Sequence, residues 1–444
     1  MTKLWSHRGL IRSLFFAVIV SSGSAAVAMV PSLPPTVGER GAKAGEFRIW
    51  PRLTLEAGFD SNVFYAAEDD TYQKVGSPFM LLSPGIRLEN PDGRDIILSF
   101  DGSGAFRRFF SGDETIDGPQ SNFGADATLG LQFFPRRAAS LEIYDSVTHR
   151  LETPNFSTTK TFNRVVNTAG TKVKIHPGGV GGRRALELSL GYAFQLEKFL
   201  DFDVLDQYEH TFSFLGTWKF FPKTALFTDA TFSLREWDKQ EETLGRTNST
   251  PLRAYVGLTG FISKKVSTTI KLGYGAGMYA VGQDFSGVLG EATISYIPVR
   301  STVLSFGYAR DFKDSLYANF YGHDRLNLRA MQQFLGRFNI KTELAYSLID
   351  YSYYDPALGG PVIGDVFKVV NTPDRQDSAL DILTSLDFEV TRYFAFQLSY
   401  SFREVYSDFE ERSSTDGVLS VDDEIIDVGG YDRHMVLGGV RIQY

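Results

Sequence analysis

Between residue 47 and residue 444, apolar side chains return at every second position in about eighteen separate stretches, each roughly 11 to 16 residues long. A period of two belongs to a pleated strand, which turns successive side chains to opposite faces. In 183–197, Leu186, Leu188, Leu190, Tyr192, Phe194 and Leu196 share one face, and Arg183, Glu187, Ser189, Gln195 and Glu197 share the other. In 379–391, Leu380, Ile382, Leu386, Phe388 and Val390 oppose Asp381, Ser385, Asp387 and Glu389. In 393–403, Phe394, Phe396, Leu398, Tyr400 and Phe402 oppose Gln397, Ser399, Ser401 and Arg403. Strands in soluble sheets usually run about five or six residues, whereas a tilted strand needs about 9 to 11 to cross a bilayer. Such long strands predict a sheet that spans a membrane. Because hydrocarbon cannot satisfy an open strand edge, that sheet must close on itself.

The connections alternate between short and long. Short ones centre on Asn90-Pro91-Asp92-Gly93, Pro135-Arg136-Arg137, Pro177-Gly178-Gly179, Pro222-Lys223, Ser263-Lys264-Lys265, Val299-Arg300, Gly336-Arg337 and Thr391-Arg392. Long ones fall near 62–77, 111–122, 151–163, 199–208, 239–251, 281–287, 314–323, 355–378 and 407–431. Eight turns and nine loops join eighteen strands and leave both ends on the turn side. The expected fold is all-β: an outer-membrane barrel of about eighteen antiparallel strands, with short periplasmic turns and long extracellular loops. A barrel of this size cannot fill its interior with side chains, so the apolar face is the outer one and the polar face lines water.

Composition narrows the class further. No mature segment holds the roughly 18 consecutive apolar residues of a membrane-spanning helix. Cysteine is absent, which removes disulfides, thiolate metal sites and cysteine nucleophiles. A net charge of -8 argues against nucleic acid as a partner. Among 37 Phe and 21 Tyr, several fall where strands should cross the interfaces: Phe133, Phe220, Tyr296 and Phe394 on the turn side, Phe110, Trp237, Tyr308 and Phe402 toward the loops. This is the pattern of two aromatic girdles.

Residues 1–28 read as a signal peptide, with Lys3, Arg8 and Arg12 before an apolar run at 14–20 and the small-residue stretch Ala26-Val27-Ala28. Residues 29–46, rich in Pro and Gly, read as a periplasmic extension, and 47–444 as the barrel. At the other end, Val440, Ile442 and the terminal Tyr444 share one face, with Gly439 five residues before the end. This resembles the signal that the outer-membrane barrel assembly machinery reads, with one departure: Leu437 stands where that signal usually has a polar residue.

Residues 49–64, ending Asp60-Ser61-Asn62-Val63-Phe64, and the following Leu82-Ser83-Pro84-Gly85-Ile86-Arg87-Leu88 resemble the opening strands of outer-membrane β-barrel porins associated with exopolysaccharide biosynthesis and export systems. The quoted pieces fall within a span of about 40 residues and carry no catalytic motif. Asp60 and Asn62, at a strand exit, are placed to bond loop amides. The resemblance implies a channel that translocates an exopolysaccharide or other surface polysaccharide, with a periplasmic polysaccharide export protein as partner. A general or sugar-selective diffusion porin is the alternative, and a surface-exposed hydrolase a third class.

The charged residues suggest where function lies. Alternation places Asp101, Arg107, Asp126, Glu142, Lys172, Lys174, Glu187, Asp229, Arg235, Arg253, Lys271, Arg325, Arg329, Lys341, Glu343, Asp387 and Arg403 on the lumen face, where they either pair along the wall or meet a polar solute or polymer. The loops are acidic (Glu68, Asp69, Asp70; Asp201, Asp203, Asp206; Asp422, Asp423, Glu424, Asp427), and the turns basic (Arg136, Arg137, Arg183, Arg184, Lys223, Lys264, Lys265, Arg300). Loop carboxylates could share divalent cations with lipopolysaccharide, although no cluster has a defined metal-ligand spacing. Outer-membrane lipid and lipopolysaccharide are thus expected partners, with no cofactor and no dedicated metal site. His149, His210, His323 and His434 lie near external strand ends, with Asp324 and Asp432 as sequence neighbours, the only hint of acid and base chemistry.

Overall fold

The computed structural model describes residues 41–66, 74–152, 162–177, 185–201, 203–238, 247–315, 318–352, 367–369, 375–407, 410–413, 424–427 and 430–444. The leader at 1–28, the loop acids Glu68, Asp69, Asp70, Asp422 and Asp423, and the turn arginines Arg183 and Arg184 lie outside the described residues.

Eighteen long strands follow one another around a ring: β1 Phe47–Asp60, β2 Ser77–Glu89, β3 Ile96–Phe109, β4 Asn122–Phe133, β5 Ala139–Glu152, β6 Phe162–Ile175, β7 Leu186–Phe199, β8 Gln207–Phe221 and β9 Thr224–Trp237, then β10 Ser249–Phe261, β11 Val266–Tyr279, β12 Phe285–Tyr296, β13 Thr302–Asp314, β14 Phe320–Phe334, β15 Phe338–Tyr351, β16 Gln376–Thr391, β17 Phe394–Tyr406 and β18 Tyr431–Gln443. Each pairs antiparallel with the next, and the ring closes where β18 pairs with β1, Leu53 opposite Ile442 and Asp60 opposite Met435. Closure leaves no open edge in the lipid, which is the condition for a sheet to cross a membrane.

The turns sit where the sequence places them, but the alternation of lengths is softer than expected. The external connections at 280–284 and 315–319 hold five residues each, while the turn-side connection at 176–185 holds ten. Two regions expected to be plain also carry structure. Ala42–Ala44 folds back on β1, Ala42 opposite Ile49, around Gly45 at φ 65°, so the end of the N-terminal extension belongs to the sheet. Within the loops after β15 and β17, Phe367–Val369, Glu410–Ser413 and Glu424–Asp427 form a separate three-stranded antiparallel sheet. These segments are three or four residues long, too short for alternation to reveal.

Between β14 and β15 the chain reverses in three residues, Leu335, Gly336 and Arg337. Leu335 and Gly336 both have positive φ, 51° and 66°, and the Arg337 amide donates to the Phe334 carbonyl at 3.0 Å. Two left-handed residues twist in the sense of the flanking strands, which suits a tight hairpin. Pro84, inside β2, has no N–H to donate, and the β2–β3 ladder passes from Leu82↔Phe106 to Gly85↔Ser103, missing the residues between.

Outward faces are apolar. On β11, Leu272 is 65% and Tyr274 51% exposed, and on β7 Leu190 is 55% exposed, as side chains turned to lipid must be. The expected girdle residues Phe133, Phe220, Tyr296, Phe394, Tyr308 and Phe402 fall on this outer face, and Phe110 is exposed in the loop after β3. Trp237 does not. It has the opposite parity to Leu234, is buried, and donates its indole N–H to the Thr247 carbonyl at 3.2 Å. An indole that tethers its own loop has no reason to face the bilayer.

Candidate functional site

The seventeen expected lumen residues all have inward parity in these strands, and register decides whom they meet. Side chains directly opposite on one face are about 5 Å apart. Arg329 lies opposite Glu343, and Asp381 opposite Arg403, and both pairs form ion pairs, at 2.8 and 2.6 Å. Arg325 bridges them, 3.7 Å from Glu343 and 3.5 Å from Asp381, so β14 to β17 carry a chain of alternating sign. Asp387 accepts from Gln397 at 2.8 Å and Arg441 at 3.5 Å.

Around the rest of the wall most pairs are diagonal or reach past a strand, and Lys271 with Glu291 is directly opposite. Arg52 donates to both oxygens of Asp101, at 3.1 and 2.5 Å. Asp126 pairs with Arg150 at 2.5 Å, and Glu142 with Lys174 at 2.6 Å. Glu187 lies 3.5 Å from His176 and 3.9 Å from Lys219. Lys271 meets Glu291 at 3.0 Å and sits 4.6 Å from the Tyr255 ring centre. Lys172 stands 4.8 Å over Tyr144, Arg107 lies 5.5 Å over Phe79, and Asp229 is opposite Tyr255. Lys341 is exposed and has no ion pair among the described residues. Between these charges, hydroxyls pair across strands, Thr259 with Thr269 and Ser295 with Ser305, both at 2.8 Å.

One hairpin departs from the wall. The β12–β13 ladder ends at Gly290↔Arg310, although β12 starts at Phe285 and β13 runs on to Asp314. Past that point β13 bends inside its neighbours. Phe312 is fully buried, stacked on Phe285 with ring centres 4.1 Å apart, and its ring fills the space that a Cβ on Gly275 or Gly277 of β11 would need. Arg253 of β10 donates to the Asp311 carboxylate at 2.8 Å, and its guanidinium lies 4.2 Å over the Phe312 ring. Asp314 accepts from Arg235 of β9 at 2.6 Å, Ser249 of β10 at 2.7 Å and Tyr279 of β11 at 2.8 Å. Arg235 also pairs with Glu209. The tip of the β13–β14 hairpin therefore occupies the lumen against the inner wall of β9 to β12.

A second segment leans in from the other side. The loop after β3 forms a short helix, α1 Glu114–Asp117, whose Ile116 is fully buried against Val63, Phe79, Phe109 and Leu437. Phe79, Phe109 and Leu437 all point inward by parity. Asp117 anchors the loop: the Ser111 hydroxyl, together with the Ser111 and Gly112 amides, holds its carboxyl below the usual aspartate range.

The C-terminal residues occupy the closing strand. Val440, Ile442 and Tyr444 face outward, Tyr444 stacking on Tyr393 with ring centres 5.4 Å apart. Gly439 faces inward, and a Cβ there would sit 2.2 Å from the Leu55 carbonyl oxygen, so only glycine fits. Leu437, apolar where a polar residue is usual, packs in the cluster with Ile116.

At the exit of β1, Asp60 accepts the Asn62 amide at 3.2 Å, and the Asn62 side chain exchanges two 2.8 Å bonds with the backbone of Ala66. Asp60 also pairs with Arg433 of β18. The list of lumen residues read from the sequence leaves out many of the partners: Arg52, Arg150, Glu209, Glu291, Asp311, Asp381, Arg433 and Arg441. Their parity was available, but which acceptor meets which donor depends on register. His323 and Asp324, neighbours in β14, point to opposite faces, His323 buried inside and Asp324 paired with Arg310 outside at 3.0 Å. Among the described residues, no group of His, Asp and Glu is arranged to hold a metal ion.

A closed eighteen-strand ring with lipid-facing apolar side chains and a charged, hydroxyl-rich interior defines an outer-membrane β-barrel channel, at home in the envelope of a Gram-negative bacterium. Residues 202–423, half of the chain, match the family described as "Putative beta-barrel porin 2", and the protein belongs to that family. No curated protein matches the sequence. Among solved structures, similar chains include OccAB4 of Acinetobacter baumannii (11% identity, TM-score 0.45, covering 89% of this chain and 98% of that one). OpdQ of Pseudomonas aeruginosa gives 10% identity and a TM-score of 0.47, covering 90% and 98%. The FrpB iron transporter of Neisseria meningitidis gives 8% identity and a TM-score of 0.45, covering 89% and 82%.

Proposed function

We propose that this porin is a passive channel for small polar solutes. The observation that carries the reading is the pair of segments tucked into the lumen, the β13–β14 hairpin held by Arg235 and Arg253, and α1 held by its apolar cluster. Barrels of about 16 to 18 strands leave a water-filled passage, and two fixed obstructions narrow it to a size suited to small molecules. Because the wall charges are mostly paired, the lumen favours neither ion sign strongly, and its hydroxyls and exposed ion pairs can replace the hydration of a polar solute.

Export of an exopolysaccharide is the competing reading, supported by the resemblance in residues 49–64 and 82–88. A polymer needs an uninterrupted path, and the tucked segments count against it. A deletion strain separates the two. The diffusion reading expects slower uptake of small sugars or amino acids with surface polysaccharide intact. Loss of one surface polysaccharide with unchanged uptake would overturn it.

A further inference from the structure

Cations and carboxylates of the lumen do not balance everywhere. An arc of inward cations runs from β13 through β18 and on to β5: Lys313, Arg325, Arg403, Arg433, Arg107 and Arg150, all within six residues of the external strand ends. Contacts tie its members together. The charges acting on Lys313 are those of Asp311, Arg325 and Arg253. Arg325 and Arg403 share Asp381, and Arg403 lies directly opposite Arg433 in the ladder, a like-charge pairing that ordinarily weakens a sheet. Arg433 holds Asp60, and Arg107 lies in the field of Arg433, Asp60 and Arg150.

Three carboxylates, Asp381, Asp60 and Asp126, face these six cations. Others nearby are engaged elsewhere, Asp311 by Arg253 and Glu343 by Arg329, each at 2.8 Å. Lys313 and Arg107 form no ion pair among the described residues, and the Arg107 Nε is buried without an acceptor. Among the described residues the arc thus carries three more cations than carboxylates. Its arginines also stand nearer the water than their acceptors: Arg403 is 40% exposed against 18% for Asp381, and Asp60, beneath Arg433, is 1% exposed. Deeper in the lumen the residues without ion pairs cancel, Lys172 and Lys341 against Glu56 and Asp229.

The tucked hairpin decides which charges a solute meets. Its tip lies against β9 to β12, where Arg235, Glu209 and Asp314 are locked to one another. The passage left open runs past β14 to β18 and β1 to β5, the side that carries the arc. Lys313 stands on the tip itself, exposed.

We infer that this narrowing selects small anions, which names the solute class of the diffusion channel proposed above and rests on that reading. A narrow water-filled passage focuses the field of its wall charges, so an excess at the constriction concentrates solutes of opposite sign. Guanidinium forks hold carboxylate and phosphate oxygens through paired N–H bonds, so either oxyanion suits the arc.

Four probes of similar size separate charge from size in proteoliposomes carrying the purified channel: neutral glucose, cationic glucosamine, and the anions gluconate and glucose 1-phosphate. At least one anion is expected to enter three times faster than glucose or more, with glucosamine slowest. Lys313→Glu combined with Arg107→Gln should lower that anion-to-glucose ratio at least threefold, and Lys264→Glu on a periplasmic turn should leave it unchanged. Neither Lys313 nor Arg107 holds an ion pair, so the double variant should keep the heat-dependent gel shift of a folded barrel; Lys313→Glu alone gives the same reading if it does not. Faster entry of gluconate alone, or of the phosphate alone, supports the inference and names the preferred oxyanion. Entry of both anions no faster than glucose, or a ratio unmoved in the folded variants, would overturn it while the diffusion channel stands. Exclusion of all four probes would instead defeat the diffusion reading, and this inference with it.

Discussion

Asp314 at the end of β13 meets Arg235 of β9 at 2.6 Å, across four strands of the barrel. Neighbours in a ladder cannot be that far apart in the strand order unless one of them has left the wall, so this contact marks the hairpin folded into the lumen. Removing one partner of a buried ion pair destabilises its surroundings by about 3 to 5 kcal/mol. Asp314→Ala is therefore expected to free the hairpin tip, and liposomes carrying the variant should swell faster in small sugars than those carrying the unmodified channel. The same swelling rate in a folded variant would show that the tip does not limit passage.

The strand number, the turn positions and the inward parity of the charges were legible because each depends on a period of two repeated over long stretches. The tucked hairpin was not. Phe312 has the parity of the lipid-facing Tyr308 and Arg310, and nothing local shows that β13 leaves its register after Arg310. The glycines at 275 and 277 were the available trace, two inner-face positions without side chains under a buried ring. Trp237 misled for a related reason: an aromatic at a strand end suits a girdle, but its parity belonged to the inside.

Leu188 and Ser189, adjacent on β7, test the assignment of faces. Leu188 is outward and Ser189 lies opposite Leu215 on the inward face. An arginine turned to lipid costs about 2 to 4 kcal/mol at the midplane and about 1 or less near an interface. Leu188, the third residue of β7, lies toward the periplasmic interface, whereas an arginine in the lumen sits in water. Leu188→Arg should lower the urea midpoint of vesicle-inserted protein below that of Ser189→Arg. Equal midpoints would mean the faces are reversed.

Asp117 offers a pH test of α1. Hydrogen bonds from Ser111 keep its folded carboxyl below the ordinary aspartate range, so they favour the ordered loop at neutral pH and are lost as pH falls through that depressed value. Asp117→Asn should loosen the loop already at neutral pH. Limited proteolysis at 110–121 is the readout, and equal cleavage of variant and unmodified protein at pH 7 would show that the cap does not hold the loop.

Leu335 occupies the first left-handed position of the β14–β15 hairpin, at φ 51° and 90% exposed. A branched side chain there strains against its own backbone by about 1 kcal/mol, whereas Asn tolerates the conformation. Leu335→Asn should raise the unfolding midpoint by an amount corresponding to about 0.5 to 1 kcal/mol. A lower midpoint would point to a contact made by the leucine itself.

The last prediction concerns closure. Residues 442–444 complete β18: Ile442 lies opposite Leu53 of β1 and Phe394 of β17, the Tyr444 amide donates to the Pro51 carbonyl at 3.1 Å, and the Gln443 amide donates to the Tyr393 carbonyl at 3.0 Å. Deleting these three residues leaves the starts of β1 and β17 with unpaired backbone groups on the periplasmic side, a loss hydrocarbon cannot offset. The truncated chain is expected to collect in the periplasm and be degraded there. Two single variants separate the causes. Tyr444→Ala keeps the backbone ladder and removes the terminal aromatic, so it should slow insertion only if the assembly machinery reads that ring. Gly439→Val leaves the terminus intact but forces a side chain into the Leu55 carbonyl and Glu56, so it should weaken the finished barrel in urea whether or not insertion is slowed. Normal outer-membrane levels of the truncated chain would show that neither closure at this end nor its terminal aromatic is needed for assembly.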